Sequence, residues 1–117
     1  MLNGTTLYNR YGITLNGSWE LPMLGTPGTI QNRDTGEHGY LSTKGKIEAG
    51  SVVEEVAFVA NDDGQLWERS ADDDSGYFTL MNPISGKFLT YKNNTIDALT
   101  IEGMALFVHR VFYKQRS

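Results

Sequence analysis

One pattern occurs twice in the chain, and this repeat restricts the possible fold more than any other feature. In the clearer copy, residues 65–90, Trp67 precedes an apolar segment that ends at Asn82 and opens a turn closed by Ser-Gly. In the earlier copy, Trp19 precedes an apolar segment that ends at Asn32 and opens a turn closed by Thr-Gly. A recurring order of short elements indicates repeated supersecondary units.

The repeated elements have the pattern of short antiparallel strands. Alternating aromatic and aliphatic residues lie between clusters of Asp, Asn, Gly, Pro and Ser, which are typical turn residues. Fainter copies lie at both ends, in 2–9 and in 106–110. The sequence therefore predicts an all-β domain of about eleven or twelve short strands. Its three predicted units are about 1–26, 27–74 and 75–117.

One segment, Val52–Ala60, also fits a helix, because Val52, Val56 and Val59 would share one helical face. The segment is short and rich in β-branched residues, and the hairpin-like turn 61–64 follows it. These features favour a strand, which is the prediction here.

Composition excludes several classes of protein. The chain has 117 residues with 39% hydrophobic and 21% charged, a globular composition. The net charge is −4 and the ten Lys and Arg residues are scattered, so no nucleic-acid partner is expected. The absence of cysteine excludes disulfide scaffolds, zinc-thiolate sites and thiol nucleophiles.

Targeting signals are also missing from the sequence. No apolar run approaches the length of a membrane span, and the first residues lack a charged and then apolar leader. The expected protein is soluble, without a signal peptide in this chain, and either cytoplasmic or secreted.

Three repeats of four short strands match the plan of a β-trefoil, a six-stranded barrel capped by three hairpins. Gln65-Leu66-Trp67 resembles the Gln-x-Trp motif of ricin-B-type lectins. Residues 82–89, NPISGKFL, are similar to the Asn-x-x-(Ser/Thr)-Gly-x-x-Leu pattern of those repeats, and 32–41 is a second, longer match. The resemblance implies a β-trefoil with both tryptophans in the core and with Gln65 holding a neighbouring turn.

The resemblance also implies non-catalytic carbohydrate binding without a cofactor. In ricin-like repeats an Asp follows the Leu of the second strand and accepts hydrogen bonds from the sugar. The positions aligned with it here are Asn9, Ser42 and Thr90, so none of the three units keeps the Asp. Asn9 is the mildest replacement, because an amide can also pair with two hydroxyl groups.

Candidate ligand-binding residues are therefore amides with a neighbouring aromatic side chain. Each pair of an amide and an aromatic side chain also has a purely structural explanation, an Asn that forms a turn beside a Tyr in the core or at its rim. The candidates are Asn9, Tyr11 and Asn16 in the first unit and Tyr91, Asn93 and Asn94 in the third.

Metal binding and catalysis are not expected. The acidic clusters 61–64 and 72–76 have carboxylates that suit calcium, but they lack its usual loop spacing and fit solvated hairpin tips. His38 and His109 are the only histidines, and no Ser has the context of an activated nucleophile.

Two functions remain open. The first is a lectin-like protein whose partner is a carbohydrate or glycoprotein. The alternative is a protein-binding β-trefoil, either a protease inhibitor or an accessory subunit of a larger enzyme. The missing Asp residues add weight to it, but lectin-like binding is the first prediction. The contact loops of the protein-binding alternative would be 22–28 and 43–51. A third interpretation is that the first unit is so short that the trefoil closes only with a partner; an exposed apolar face there would show as oligomerisation, with a homo-oligomer as one outcome.

Overall fold

A computed structural model describes residues 2–10, 12–91, 99–105 and 107–114, with the backbone alone at 2–5 and 110–114. The described residues form eleven strands and two short 3₁₀ helices. The strands are β1 (Leu2–Asn9), β2 (Thr14–Leu15), β3 (Trp19–Glu20), β4 (Gln31–Asn32), β5 (Tyr40–Ser42), β6 (Glu54–Val56), β7 (Glu68–Arg69), β8 (Leu80–Asn82), β9 (Lys87–Tyr91), β10 (Leu99–Glu102) and β11 (Val108–Lys114). The 3₁₀ helices are Gly36–His38 and Asp63–Gln65.

Three antiparallel sheets contain these strands. Two of them follow chain order, β3-β4-β5-β6 and β7-β8-β9-β10, and each begins at a Trp-bearing segment. The third has the order β11-β1-β2, so the last strand pairs with the first. The sheets thus group residues 19–56, residues 68–102, and the two chain ends together, whereas the predicted unit limits fall at 26/27 and 74/75.

Within the described residues, isolated bridges join neighbouring sheets at Val52–Thr100 and at two equivalent places, which we call the first and the second junction. At the first junction Gly28 and Trp67 exchange backbone hydrogen bonds of 2.9 and 2.8 Å. At the second junction Phe78 and Val108 exchange two backbone hydrogen bonds of 2.8 Å. The equal pairing shows that the units repeat in backbone structure as well as in sequence.

Both tryptophans lie in the core, as predicted. Trp19 is 2% exposed and Trp67 is fully buried. The indole N–H of Trp19 donates to the carbonyl of Leu15 at 3.2 Å, and that of Trp67 donates to the carbonyl of Leu41 at 3.1 Å. Each ring therefore fills the interior, and its indole N–H is paired with a carbonyl of an earlier strand, β2 for Trp19 and β5 for Trp67.

Gln65 holds neighbouring backbone by hydrogen bonds, as predicted. These bonds also explain why the predicted strand Val52–Ala60 is too long. The side chain of Gln65 accepts from the backbone N–H of Val59 at 3.1 Å and donates to the carbonyl of Ala57 at 2.8 Å. The backbone at 57–59 is thus paired with a side chain instead of a neighbouring strand. The single strand predicted for Val52–Ala60 is therefore reduced to β6 and an isolated bridge at Val52.

Candidate functional site

Two predicted ligand residues, Asn9 and Tyr91, meet on opposite sides of Ile13. The side-chain oxygen of Asn9 accepts from the backbone N–H of Ile13 at 3.0 Å. The hydroxyl of Tyr91 donates to the Ile13 carbonyl at 3.1 Å, and burial raises the pKa of this phenol. Asn9 and Tyr91 are each only 2% exposed, so both hold the backbone of Ile13 and present little surface to a ligand.

The strand register corrects the alignment of Asn9. Asn9 lies opposite Val108, in the same way that Asn32 lies opposite Trp19. Asn82 ends β8 at the corresponding place, and its amide donates to the carbonyl of Leu66 at 2.9 Å. Asn9 is therefore equivalent to Asn32 and Asn82, the buried residues that open the turn of each unit.

Asn16, and not Asn9, is at the position that corresponds to the sugar-binding Asp of ricin-like repeats. Thr14 pairs with β1 as Tyr40 pairs with β4 and Phe88 with β8. Two residues further on, Asn16 therefore corresponds to Ser42 and Thr90. Asn16 is exposed, whereas Ser42 is buried. The error arose because β2 has only two residues, which leaves the repeat too short to align by spacing.

The remaining candidates, Tyr11, Asn93 and Asn94, lie outside the described residues. Their pairing with Asn9, Asn16 and Tyr91 stays a prediction.

A cleft that the sequence did not predict is formed by Thr29 and by the segment 58–66, which connects β6 to β7. We call it the Phe58 cleft; it has a volume of about 320 Å³ and is lined by Thr29, Phe58, Val59, Asn61, Asp62, Asp63, Gln65 and Leu66. The Phe58 ring is 55% exposed, and its centroid lies 5.3 Å from that of Tyr40. Since Gln65 holds the backbone on both sides of Phe58, this large apolar ring is fixed at the surface.

The polar side of the cleft is a rigid turn. Asn61 adopts a left-handed conformation with φ of 61°, which Asn tolerates better than most residues. One carboxylate oxygen of Asp62 accepts from the backbone N–H of Gly64 at 2.9 Å and caps the short 3₁₀ helix. Asp62 keeps a second oxygen, and the side chain of Asp63 is exposed beside it. The backbone of the turn and the Asp62 carboxylate are thus fixed, and the exposed amide of Asn61 and carboxylate of Asp63 lie in the same turn beside Phe58.

A second aromatic cluster covers the outside of the second junction. The rings of Tyr8 and His109 stack with centroids 5.1 Å apart, and the Tyr77 ring meets His109 edge-on at 5.3 Å. The Arg10 guanidinium lies 5.1 Å from the centre of the Tyr77 ring and pairs with Asp73 at 2.9 Å. These groups contact one another, so the cluster is a filled surface and not a cleft.

Two hydrogen bonds from backbone N–H groups to the Asp73 carboxylate fix the acidic turn of this cluster. The Asp73 carboxylate accepts from the backbone N–H of Tyr77 at 3.0 Å and from that of Ser75 at 2.8 Å. The Tyr77 bond is the largest cause of a lowered Asp73 pKa, and Arg10 contributes further. The predicted turn 72–76 is therefore a self-capped turn.

The sequence contained only part of the signal for the Phe58 cleft. The turn 61–64 was predicted, but the nearby Phe58 was assigned to a strand. Alternation in a strand predicts only which face of the sheet a side chain is on, so it did not indicate that Phe58 is exposed. Among the described residues, no group of three or more His, Asp or Glu side chains is placed to hold a metal ion. No helix in the described part of the chain has the length and apolarity to cross a membrane.

Comparisons with known proteins bear on the fold. No protein-family model and no curated protein matches the chain. Among solved structures, it is similar to the crystal structure of ThreeFoil, a designed protein with threefold symmetry. The TM-score is 0.67 with 21% identity, over 92% of this chain and 96% of ThreeFoil. This likeness and the three equivalent sheets establish an all-β, β-trefoil fold.

Proposed function

We propose that the chain is a non-catalytic, lectin-like carbohydrate-binding protein and that the Phe58 cleft receives the sugar. The observation that carries the proposal is the exposed Phe58 ring in one cleft with Asn61, Asp62 and Asp63, whose side chains carry an amide and two carboxylates. A fold of this kind hosts many functions, so these side chains, and not the β-trefoil, indicate the ligand.

The chemistry of the cleft suits a sugar. A sugar ring has C–H groups on one face that pack on an aromatic ring, and hydroxyl groups at its edge that donate and accept hydrogen bonds. The carboxylates are acceptors and the amide is both donor and acceptor, so together they match hydroxyl groups. A volume of about 320 Å³ lies at the lower end of the range for small-ligand sites, which is about 300–1,000 Å³.

A glycan array with the purified chain tests the proposal. Phe58→Ala and Asp63→Asn are expected to reduce binding of the same glycans, because each removes one side of the cleft. The matched controls are Ile84→Ala and Asp34→Asn, which change exposed side chains outside the cleft. Both controls should bind as the unmodified chain does.

Two results would overturn the assignment. A blank array with a folded, β-rich protein removes the carbohydrate function. Specific binding that survives Phe58→Ala and Asp63→Asn but is lost in Asn16→Ala moves the site to the exposed turn after β2.

A second candidate is protein binding, favoured by one observation. Met23 is 76% exposed and Leu24 is 60% exposed at the tip of the loop 22–28. Adjacent exposed apolar side chains on a loop suit insertion into a partner's pocket. Pull-down and protease-inhibition assays with Met23→Ser/Leu24→Ser as the loss-of-contact variant would test it.

A further inference from the structure

A second cavity lies on the outside of the first junction. It has a volume of about 230 Å³ and is lined by Gly25, Thr26, Pro27, Glu68 and Arg69. This volume falls below the range of about 300–1,000 Å³ for small-ligand sites, so the cavity is too small to hold a free ligand by itself.

The second cavity continues the Phe58 cleft along the same pair of backbone segments. Gly28 pairs with Trp67, so Thr29 is next to Leu66 and Pro27 is next to Glu68. Side chains two positions apart on a strand point to the same face and are about 7 Å apart. Thr29 and Leu66 line the Phe58 cleft, whereas Pro27 and Glu68 line the second cavity. The two spaces are therefore neighbouring parts of one outer face.

The side chains of the second cavity repeat the chemistry of the cleft. Pro27 is exposed and supplies an apolar surface. Within the described part of the chain, the Glu68 carboxylate has no hydrogen-bond or ion-pair partner, so it can accept from hydroxyl groups. The Arg69 guanidinium lies 4.2 Å from the centre of the Phe78 ring and is paired with Asp72, which fixes it as a donor.

We infer that the ligand of this face is an oligosaccharide of at least two residues. One sugar ring lies on Phe58, and the adjoining residue lies against Pro27 and Glu68. The inference rests on the proposed carbohydrate function and extends it from a single sugar to a chain. Because Asp72 already neutralises Arg69 and Glu68 adds negative charge, the second position favours neutral hydroxyl groups over an acidic sugar.

Isothermal titration calorimetry with saccharides of increasing length tests the inference. The probes are the monosaccharide, disaccharide and trisaccharide of three β-1,4-linked series, built from glucose, galactose and N-acetylglucosamine. The bound series should gain affinity between the monosaccharide and the disaccharide. Glu68→Ala should weaken disaccharide and trisaccharide binding about tenfold or more, as expected for the loss of a hydrogen bond to a charged group, and leave the monosaccharide unchanged.

Two controls separate this result from a loss of fold or of the first site. Glu37→Ala removes an exposed carboxylate elsewhere and should leave all affinities unchanged. Phe58→Ala should weaken every member of the bound series. The urea midpoint of Glu68→Ala should match that of the unmodified chain within the range of a surface substitution.

The two proposals fail in different ways. Equal affinity for the monosaccharide and the trisaccharide, with no effect of Glu68→Ala, overturns the extended site and leaves the Phe58 cleft in place. No binding of any probe or array glycan overturns the carbohydrate function and the extended site with it.

Discussion

The first and the second junction have the same backbone pairing but place their large side chains on opposite partners. At the first junction the small residue, Gly28, comes from the strand that enters the hairpin, and the large residue, Trp67, comes from its partner. At the second junction the large residue is Phe78 and its partner is the smaller Val108. Each junction thus combines one large and one small side chain, which keeps the interior filled at similar backbone separation.

The outer faces of the junctions differ more than their interiors do. Beside the first junction, Pro27 and Glu68 leave a cavity of about 230 Å³. At the corresponding places beside the second junction, the rings of Tyr77 and His109 have centroids 5.3 Å apart and fill the surface. Equivalent backbone therefore supplies an open surface in one place and a packed one in the other. The side chains alone decide which of the two outer faces is open.

The largest expected effect tests the packing of the second junction. Phe78 is fully buried, so Phe78→Ala should reduce the free energy of unfolding by about 3–5 kcal/mol, measured by urea denaturation. Phe58→Ala removes the same ring from an exposed position and should cost about 0.5 kcal/mol or less. Similar costs for the two variants would mean that Phe78 does not carry the packing of this junction.

The next prediction concerns the close contact that the packed surface requires. Gly76 has φ of +85°, and a Cβ there would lie 2.7 Å from Nε2 of His109. Gly76→Ala should therefore cost about 2–4 kcal/mol, from backbone strain together with displacement of the His109 ring.

Gly25 provides the matched control for this prediction. It has φ of +82° with nothing within 4 Å of an added Cβ, so Gly25→Ala should cost only the strain, about 1–2 kcal/mol. The difference between the two urea transitions measures the His109 contact. If the two costs are equal, the ring moves away freely and the outer face of the second junction is not packed.

A smaller effect is expected from the cation that covers the second junction. The Arg10 guanidinium lies 5.1 Å from the centre of the Tyr77 ring and 4.7 Å from that of Phe107. Arg10→Ala should reduce the free energy of unfolding by about 1 kcal/mol through these cation–π contacts. Arg33→Ala breaks an exposed ion pair with Glu20 of 3.4 Å and should cost less. A larger cost for Arg33→Ala would contradict this account.

The smallest effect is a dependence on pH. The pKa of Asp73 is lowered below its ordinary value of 3.8, because backbone N–H groups and Arg10 favour its charged form. A lowered pKa in the folded state gives stability that is complete above pH 3.8 and is lost as the pH falls through the folded pKa. Asp73→Asn should therefore flatten the acid side of the stability curve. An NMR titration that places the Asp73 pKa at or above 3.8 would refute the prediction.

Much of the fold could be predicted because its signals are local. The repeated Trp, Asn and Ser/Thr-Gly positions mark the core and the turns, and Gln65 binds the backbone of 57–59 as expected. The predicted site residues fared differently. Asn9 was assigned to the wrong register because β2 has only two residues, and Tyr91 is buried on Ile13 from a position 78 residues away.

The sequence by itself determined that the chain forms three units of short strands around buried tryptophans, because hydrophobic alternation and turn chemistry act between near neighbours. Only the tertiary structure decided which side chains share a surface. The Phe58 cleft needs Gln65 to interrupt a strand, and its extension needs segments 25–29 and 65–69 to pair across a junction. Such contacts depend on packing between units, and no local pattern in the chain encodes them.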